Sequence, residues 1–134
     1  MSNSNSSIEE NRTLTLDFTK LDNVSGVIPV AVQDAITREV ILIAYTNALA
    51  FEATIEKRKL ILWSTSRNRL WFKGDGESGN TFTVHDIFVN CEQNSLVYLV
   101  TPDKDKICHT SINGVANNCY YRRVNLETMG LEMV

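Results

Sequence analysis

Val27-Ile28-Pro29-Val30-Ala31-Val32-Gln33, followed after a polar turn by Val40-Ile41-Leu42-Ile43-Ala44-Tyr45, is the stretch that decides the fold class. Both runs are strand-length and rich in β-branched residues, and the turn Asp34 to Arg38 between them predicts a hairpin. Pro29 stands near the start of the first run. Proline cannot donate to a ladder, so this suits an edge strand. The second run is apolar on both faces, which predicts a central strand covered on both sides.

Working outward, Asn47 is a plausible N-cap for a helix running to about Lys57. Ala48, Phe51 and Ile55 recur at helical spacing and are expected to face the sheet. Leu60 to Ser64 returns to strand character, and after a turn near Arg67-Asn68 a short strand follows at Leu70-Trp71-Phe72. Gly74 to Asn80 is a glycine-rich loop. Thr81 to Cys91 reads as one long strand, on which alternation puts Cys91 on the same face as His85 and puts Phe88 with Phe82 and Val84. Glu92-Gln93-Asn94 turns the chain into the strand Leu96 to Val100, and Cys119-Tyr120-Tyr121 begins the last strand-like piece. One main helix among mostly antiparallel strands makes the class α+β, a compact single domain over residues 12–134. Residues 1–11, rich in Ser, Asn and Glu, read as a disordered tail.

With 134 residues there is room for one domain with a real core. No apolar run approaches the roughly 20 residues of a membrane span, and the first residues have neither the basic start nor the apolar stretch of a secretory signal. The expectation is therefore a cytoplasmic protein with no membrane partner. A net charge of −3 argues against a nucleic-acid footprint, which usually needs a basic face. The local run Glu56-Lys57-Arg58-Lys59 reads as a solvated helix end, where the helix dipole favours cations.

The three cysteines are too few for a disulfide scaffold and odd in number. They are also clustered, since Cys91, Cys108 and Cys119 all fall in the last third of the chain with His109 beside the second. A catalytic zinc takes three protein ligands and keeps one position open, and these thiols can supply the three. Sixteen residues separate the first two, so the fold must bring them together, and buried structural cysteines remain the other reading of the bare spacing. A dense polar stretch precedes them. In Ser66-Arg67-Asn68-Arg69-Leu70-Trp71-Phe72-Lys73-Gly74 the cations Arg67, Arg69 and Lys73 are candidates for holding phosphates, with the glycines letting backbone N–H groups approach an anion. An ordinary exposed turn is the competing reading, and Trp71 reads as core or as a base-stacking platform.

In order along the chain, SRNRLWFKG (66–74), ESGN (77–80), Asn90-Cys91-Glu92, Cys108-His109-Thr110 and Cys119-Tyr120-Tyr121 together resemble phosphoribosyl-AMP cyclohydrolase, as do the IPVAVQD and AYTN strings of the hairpin. The resemblance runs from about residue 25 to 123. It implies hydrolysis of the N1–C6 bond in the adenine ring of 1-(5-phosphoribosyl)-AMP, a step of histidine synthesis. It further implies a homodimer using zinc and magnesium. Cys91, Cys108 and Cys119 match the zinc ligands, the first given by one subunit and the other two by its partner. His109 matches the histidine thought to assist catalysis. The candidate substrate-binding set is Arg67, Arg69, Trp71, Lys73, Glu77, Ser78, Asn80 and His85.

The chain departs from the family where three aspartates ligate magnesium, in the pattern Asp-Cys-Asp-x-Asp. The matching positions here are Asn90, Glu92 and Asn94, which implies a weak or absent magnesium site. The loop between Cys108 and Cys119 is longer than usual, and Asp75-Gly76 looks inserted. Two other readings stay open: a related zinc hydrolase acting on another purine-like or cyclic amidine substrate, and a zinc-stabilised binding protein without turnover.

Overall fold

The computed structural model describes residues 12–18, 26–74, 81–103, 111–112, 115–116 and 119–133. The expected tail over residues 1–11 lies outside them. Strands β1 (Ile28–Asp34), β2 (Val40–Thr46), β3 (Ile61–Ser64), β4 (Arg69–Phe72), β5 (Phe82–Val89) and β6 (Leu96–Pro102) form one sheet in the order β4-β3-β2-β1-β6-β5. Every neighbouring pair is antiparallel except β1 with β6. Helix α1 (Ala48–Lys57) joins β2 to β3, and it is the one helix among the described residues. Short pairs β7 (Ser111–Ile112) with β8 (Val115–Ala116), and β9 (Arg122–Val124) with β10 (Leu131–Met133), follow. The class is α+β, as expected. None of the described helices is long and apolar enough to cross a membrane.

The sheet rolls up until its ends meet. The Leu60 N–H donates to the Phe82 carbonyl at 3.1 Å and the Val84 N–H to the Arg58 carbonyl at 2.8 Å, on either side of an antiparallel bridge between Lys59 and Thr83. Rolling encloses the inward residues of all the long strands. Ile28, Val30 and Val32 of β1 meet Leu60 and Leu62, Phe82 and Val84, and Tyr98 and Val100 in a single core. Each such side chain contributes about 1.5–3 kcal/mol relative to exposure.

Several expectations need correction. β1 lies in the interior of the sheet, between β2 and β6. Pro29 pairs with Tyr45 of β2, but the parallel ladder to β6 starts at Val30–Leu96, so the missing N–H costs no bond on that side. β2 is interior too, but its outer face is left open at Ile43, although Ile41 is buried. Leu42 and Ala44 are buried, whereas Ile43 on the outer face is 60% exposed.

On α1, Asn47 is the N-cap as expected, its Oδ1 accepting from the Ala50 N–H at 2.9 Å. The buried positions, however, are Ala50 and Thr54, with Phe51 packed at the core's edge; Ala48 and Ile55 are exposed. The Thr54 hydroxyl decides this rotation. It donates to the Ile61 carbonyl at 2.8 Å and accepts from the Ile61 N–H at 3.2 Å, fixing the helix to β3 through a polar contact that apolar periodicity does not register.

The long strand ends at Val89, so Cys91 lies in the following turn, and alternation fails before that. Val84 pairs with Val100 but Asp86 with Leu99, so His85 is the extra residue of a β-bulge. One inserted residue reverses the faces of all that follow. Ile87 therefore points to the core beside its partner Tyr98, and Phe88 points outward at 51% exposure. Cys119 to Tyr121 likewise precede the last paired strands instead of beginning one.

Candidate functional site

The C-terminal half of α1 and the β3–β4 hairpin enclose a cleft of about 770 Å³, inside the usual range for small-molecule sites. The helix supplies Ala53 and Lys57, and β3 supplies Ile61 and Ser64. The connecting turn gives Ser66 and Arg67, and β4 gives Arg69 to Phe72. The turn is tight for local reasons. The Ser64 hydroxyl accepts from the Arg67 N–H at 3.2 Å, and Asn68 takes a left-handed backbone at φ 54, which asparagine tolerates well. Lys57, Arg67 and Arg69 converge here and no carboxylate among the described residues lines the cleft, which favours anions. Trp71, 40% exposed, offers a ring face beside the cations.

Three candidates from the polar stretch thus come together: Arg67, Arg69 and Trp71. Lys57 joins them unannounced. It stands four residues after Ala53, hence on the same helix face, and that spacing was the available signal. Lys73 does not line the cleft. It is buried, with its ammonium over the Trp71 ring, 5.6 Å from its centre, a cation–π distance. His85 sits on the β5 bulge, its Nε2 2.7 Å from the Thr101 hydroxyl, and is not a cleft residue. Glu77, Ser78 and Asn80 lie outside the described residues.

Cys91 and Cys119 are both exposed. This is unusual for a residue type that is among the most often buried, and it suits a ligating role. Cys108 and His109 lie outside the described residues. The backbone N–H of Cys119 donates to the Ile41 carbonyl at 3.0 Å, which fixes it where β2 begins. β3 runs antiparallel to β2 through Tyr45–Trp63, so the turn carrying Ser66 and Arg67 points to that same end. Cys91, in the β5–β6 turn, belongs to the opposite end. At strand spacings of about 4.8 Å and rises of about 3.3 Å per residue, the two cysteines are on the order of 20 Å apart. Sulfurs sharing one zinc at about 2.3 Å each must lie within about 4.6 Å of one another. Among the described residues no three of His, Cys, Asp and Glu are grouped to hold a metal.

The Cys91 turn is held by asparagines. Asn90 Oδ1 accepts from the N–H groups of Asn94 and Ser95, each at 2.9 Å, while Asn90 Nδ2 donates to Asn94 Oδ1 at 2.6 Å. Gln93 adopts φ 55 and is buried, donating from its side chain to the Thr13 carbonyl at 2.8 Å and accepting from the Thr15 N–H. Both asparagine carboxamides are therefore engaged in shaping the turn, leaving Glu92 as its one carboxylate.

Comparison with known proteins gives a consistent result. The sequence model of the phosphoribosyl-AMP cyclohydrolase family matches residues 42–121. A protein of that name from Desulfotalea psychrophila is 41% identical over 110 residues, covering 82% of this chain and 81% of the relative. One from Nitrosopumilus maritimus is 43% identical over 96 residues, covering 72% and 87%. Another, from Chlorobaculum tepidum, is 37% identical over 115 residues, covering 86% and 79%.

Proposed function

This chain belongs to the phosphoribosyl-AMP cyclohydrolase family, and from that premise we propose that it opens the adenine ring of 1-(5-phosphoribosyl)-AMP at N1–C6 in histidine biosynthesis, as a zinc-dependent homodimer. The observation that carries the reading is the cleft, where Lys57, Arg67 and Arg69 meet beside the exposed face of Trp71. A substrate with two phosphates and a purine ring is matched by three cations and an aromatic face.

The donor set of soft, exposed thiols fits zinc. Cys119, with Cys108, would hold it at the Arg67 end of the cleft, and Cys91 would come from the other subunit, because within one chain it is too far away. When bound, zinc supplies a Lewis acid that makes hydroxide available near neutral pH. The arginines orient the phosphates so that C6 faces the cysteine end, and His109 is the candidate proton donor to the departing N1. The purine analogue of another pathway remains the second reading, favoured by the altered Asn90–Glu92–Asn94 turn. Magnesium fits that turn poorly, since hard cations prefer carboxylate oxygens and both asparagines are engaged. We assign it no step.

The test mixes two inactive variants, Cys91→Ser and Cys119→Ser, after subunit exchange, and follows turnover of phosphoribosyl-AMP together with bound zinc. Shared sites restore up to a quarter of the wild-type sites in a random mixture, by the statistics of two-fold pairing. Turnover that stays at zero after verified exchange refutes shared ligation. Wild-type protein that binds zinc without turning over this substrate refutes the activity.

A further inference from the structure

We propose that Gln93 is a positioning residue for the candidate metal ligand Cys91, acting by clamping the Cys91 turn to the chain segment 13–18 ahead of β1. The proposal deepens the reading above and rests on its assignment of Cys91 to zinc.

Cys91 lies beyond the end of the β5–β6 ladder, whose last pair is Val89–Leu96. The hairpin continues through one long bond, from the Asn90 N–H to the Ser95 carbonyl at 3.3 Å. The Gln93 N–H then closes a β-turn on the Asn90 carbonyl at 3.0 Å, with Cys91 and Glu92 at the two central positions. Asn90 and Asn94 brace this turn from within. Internal bracing sets the shape of a turn, but not its direction relative to the body of the protein.

Gln93 supplies the outside tie. Its φ of 55 is a left-handed conformation that glycine adopts freely and that costs a residue with a Cβ. A long polar side chain buried at such a position is held there by what it bonds. The carboxamide donates to the Thr13 carbonyl at 2.8 Å and accepts from the Thr15 N–H, while the Gln93 carbonyl accepts from the Asp17 N–H at 2.8 Å. Alternate residues of an extended chain present their backbone groups to the same side. Residues 13, 15 and 17 therefore form one edge, and Gln93 pairs with it as a neighbouring strand would. The intervening residues secure the segment from its other side. Leu16 and Phe18 pack against the core, and the Phe18 carbonyl accepts from the Gly26 N–H at 3.1 Å, just ahead of β1. Through Gln93 the core thus fixes the direction of the turn that carries Cys91. Partners that orient a metal ligand in this way govern affinity without touching the metal.

The experiment compares wild type with Gln93→Gly and Thr15→Pro by hydrogen–deuterium exchange of the metal-free protein, zinc titration and steady-state kinetics. Glycine accepts φ 55 without strain, so the turn keeps its backbone and loses only the carboxamide. Proline suits an extended chain and removes the N–H that Gln93 accepts, leaving the turn's own sequence untouched. In either variant circular dichroism should be unchanged, exchange should rise together in residues 12–18 and 90–95, and zinc affinity should fall about 10–100-fold. The double variant should lose no more than the larger single loss, since both break one contact. With zinc saturating, KM for phosphoribosyl-AMP should stay at its wild-type value, because the cleft residues are unchanged. Raised exchange with wild-type zinc affinity overturns the positioning role and leaves Cys91 as a ligand. A KM that rises in step with the zinc loss marks a general loosening of the fold and also overturns the role. Cys91→Ser with undiminished zinc affinity overturns the metal reading itself, and this proposal with it. Should neither clamp variant fold, the wild type decides: slow exchange at the Thr15 and Asp17 amides supports the clamp, and fast exchange at both overturns it.

Discussion

Replacing Thr54 by valine removes the pair of hydrogen bonds that ties α1 to β3, and with it a support of the cleft's geometry. Thr54 is fully buried, and its hydroxyl both donates to and accepts from the backbone of Ile61. Valine has nearly the same shape and is also β-branched, so no cavity opens and the change in helix propensity is small. What remains is the cost of leaving buried backbone groups without a partner. An unsatisfied buried donor costs about 1–3 kcal/mol, and the carbonyl, with two lone pairs, loses less. The expected loss is about 2–4 kcal/mol, or roughly 8–15 °C in Tm for a domain of this size. Urea unfolding should show a lower midpoint with an unchanged slope, because the surface exposed on unfolding is the same. The wall that carries Ala53 and Lys57 loosens, so KM for phosphoribosyl-AMP should rise. Thr54→Ser should recover most of the lost stability. A stability change below about 0.5 kcal/mol for Thr54→Val, the range of neutral surface substitutions, would refute the idea that this hydroxyl sets the helix's position.

Arg67→Ala and Arg69→Ala should each raise KM for phosphoribosyl-AMP by about 10–100-fold, since a charge-assisted hydrogen bond is worth about 1.5–3 kcal/mol; unchanged steady-state kinetics in both would remove the cleft from substrate binding. Asp103 connects the sheet's closing contacts. Burial alone would raise its pKa, but hydrogen bonds from Lys59, Thr81 and Thr83 and the charge of Lys59 outweigh that and hold it below the ordinary 3.8. Its folded form therefore binds its proton less readily than the unfolded chain. The stabilisation is present above the ordinary value and is lost as pH falls through it toward the lower folded pKa. Urea midpoints measured down this acid window should fall less steeply in Asp103→Asn than in wild type, and parallel curves would count against the pairing. Magnesium titrated into zinc-loaded protein without substrate should bind no tighter than millimolar, the weak end for hard cations. Micromolar binding would show that the Asn90–Asn94 turn rearranges around the metal.

Local chemistry made much of this protein legible in the sequence. Strand-length β-branched runs gave the hairpin β1–β2, Asn47 announced the helix start through its capping oxygen, and the ordered motifs from Ser66 to Tyr121 identified the family. These features depend on residues close together in the chain. Arg67, Arg69 and Trp71 could be nominated for the same reason, because one hairpin carries them. The rest depended on pairings that span many residues. Pro29 looked like an edge because its parallel partner β6 enters nearly 70 residues later, and no local pattern reports such a neighbour. The His85 bulge, one residue inserted against β6, moved Phe88 from the core to the surface and took Cys91 off the strand. Lys57 entered the cleft only because a buried hydroxyl turned the helix. Tertiary structure alone set Cys91 and Cys119 at opposite ends of the roll, since the distance between two residues is decided by strand order and register, which sequence separation does not encode.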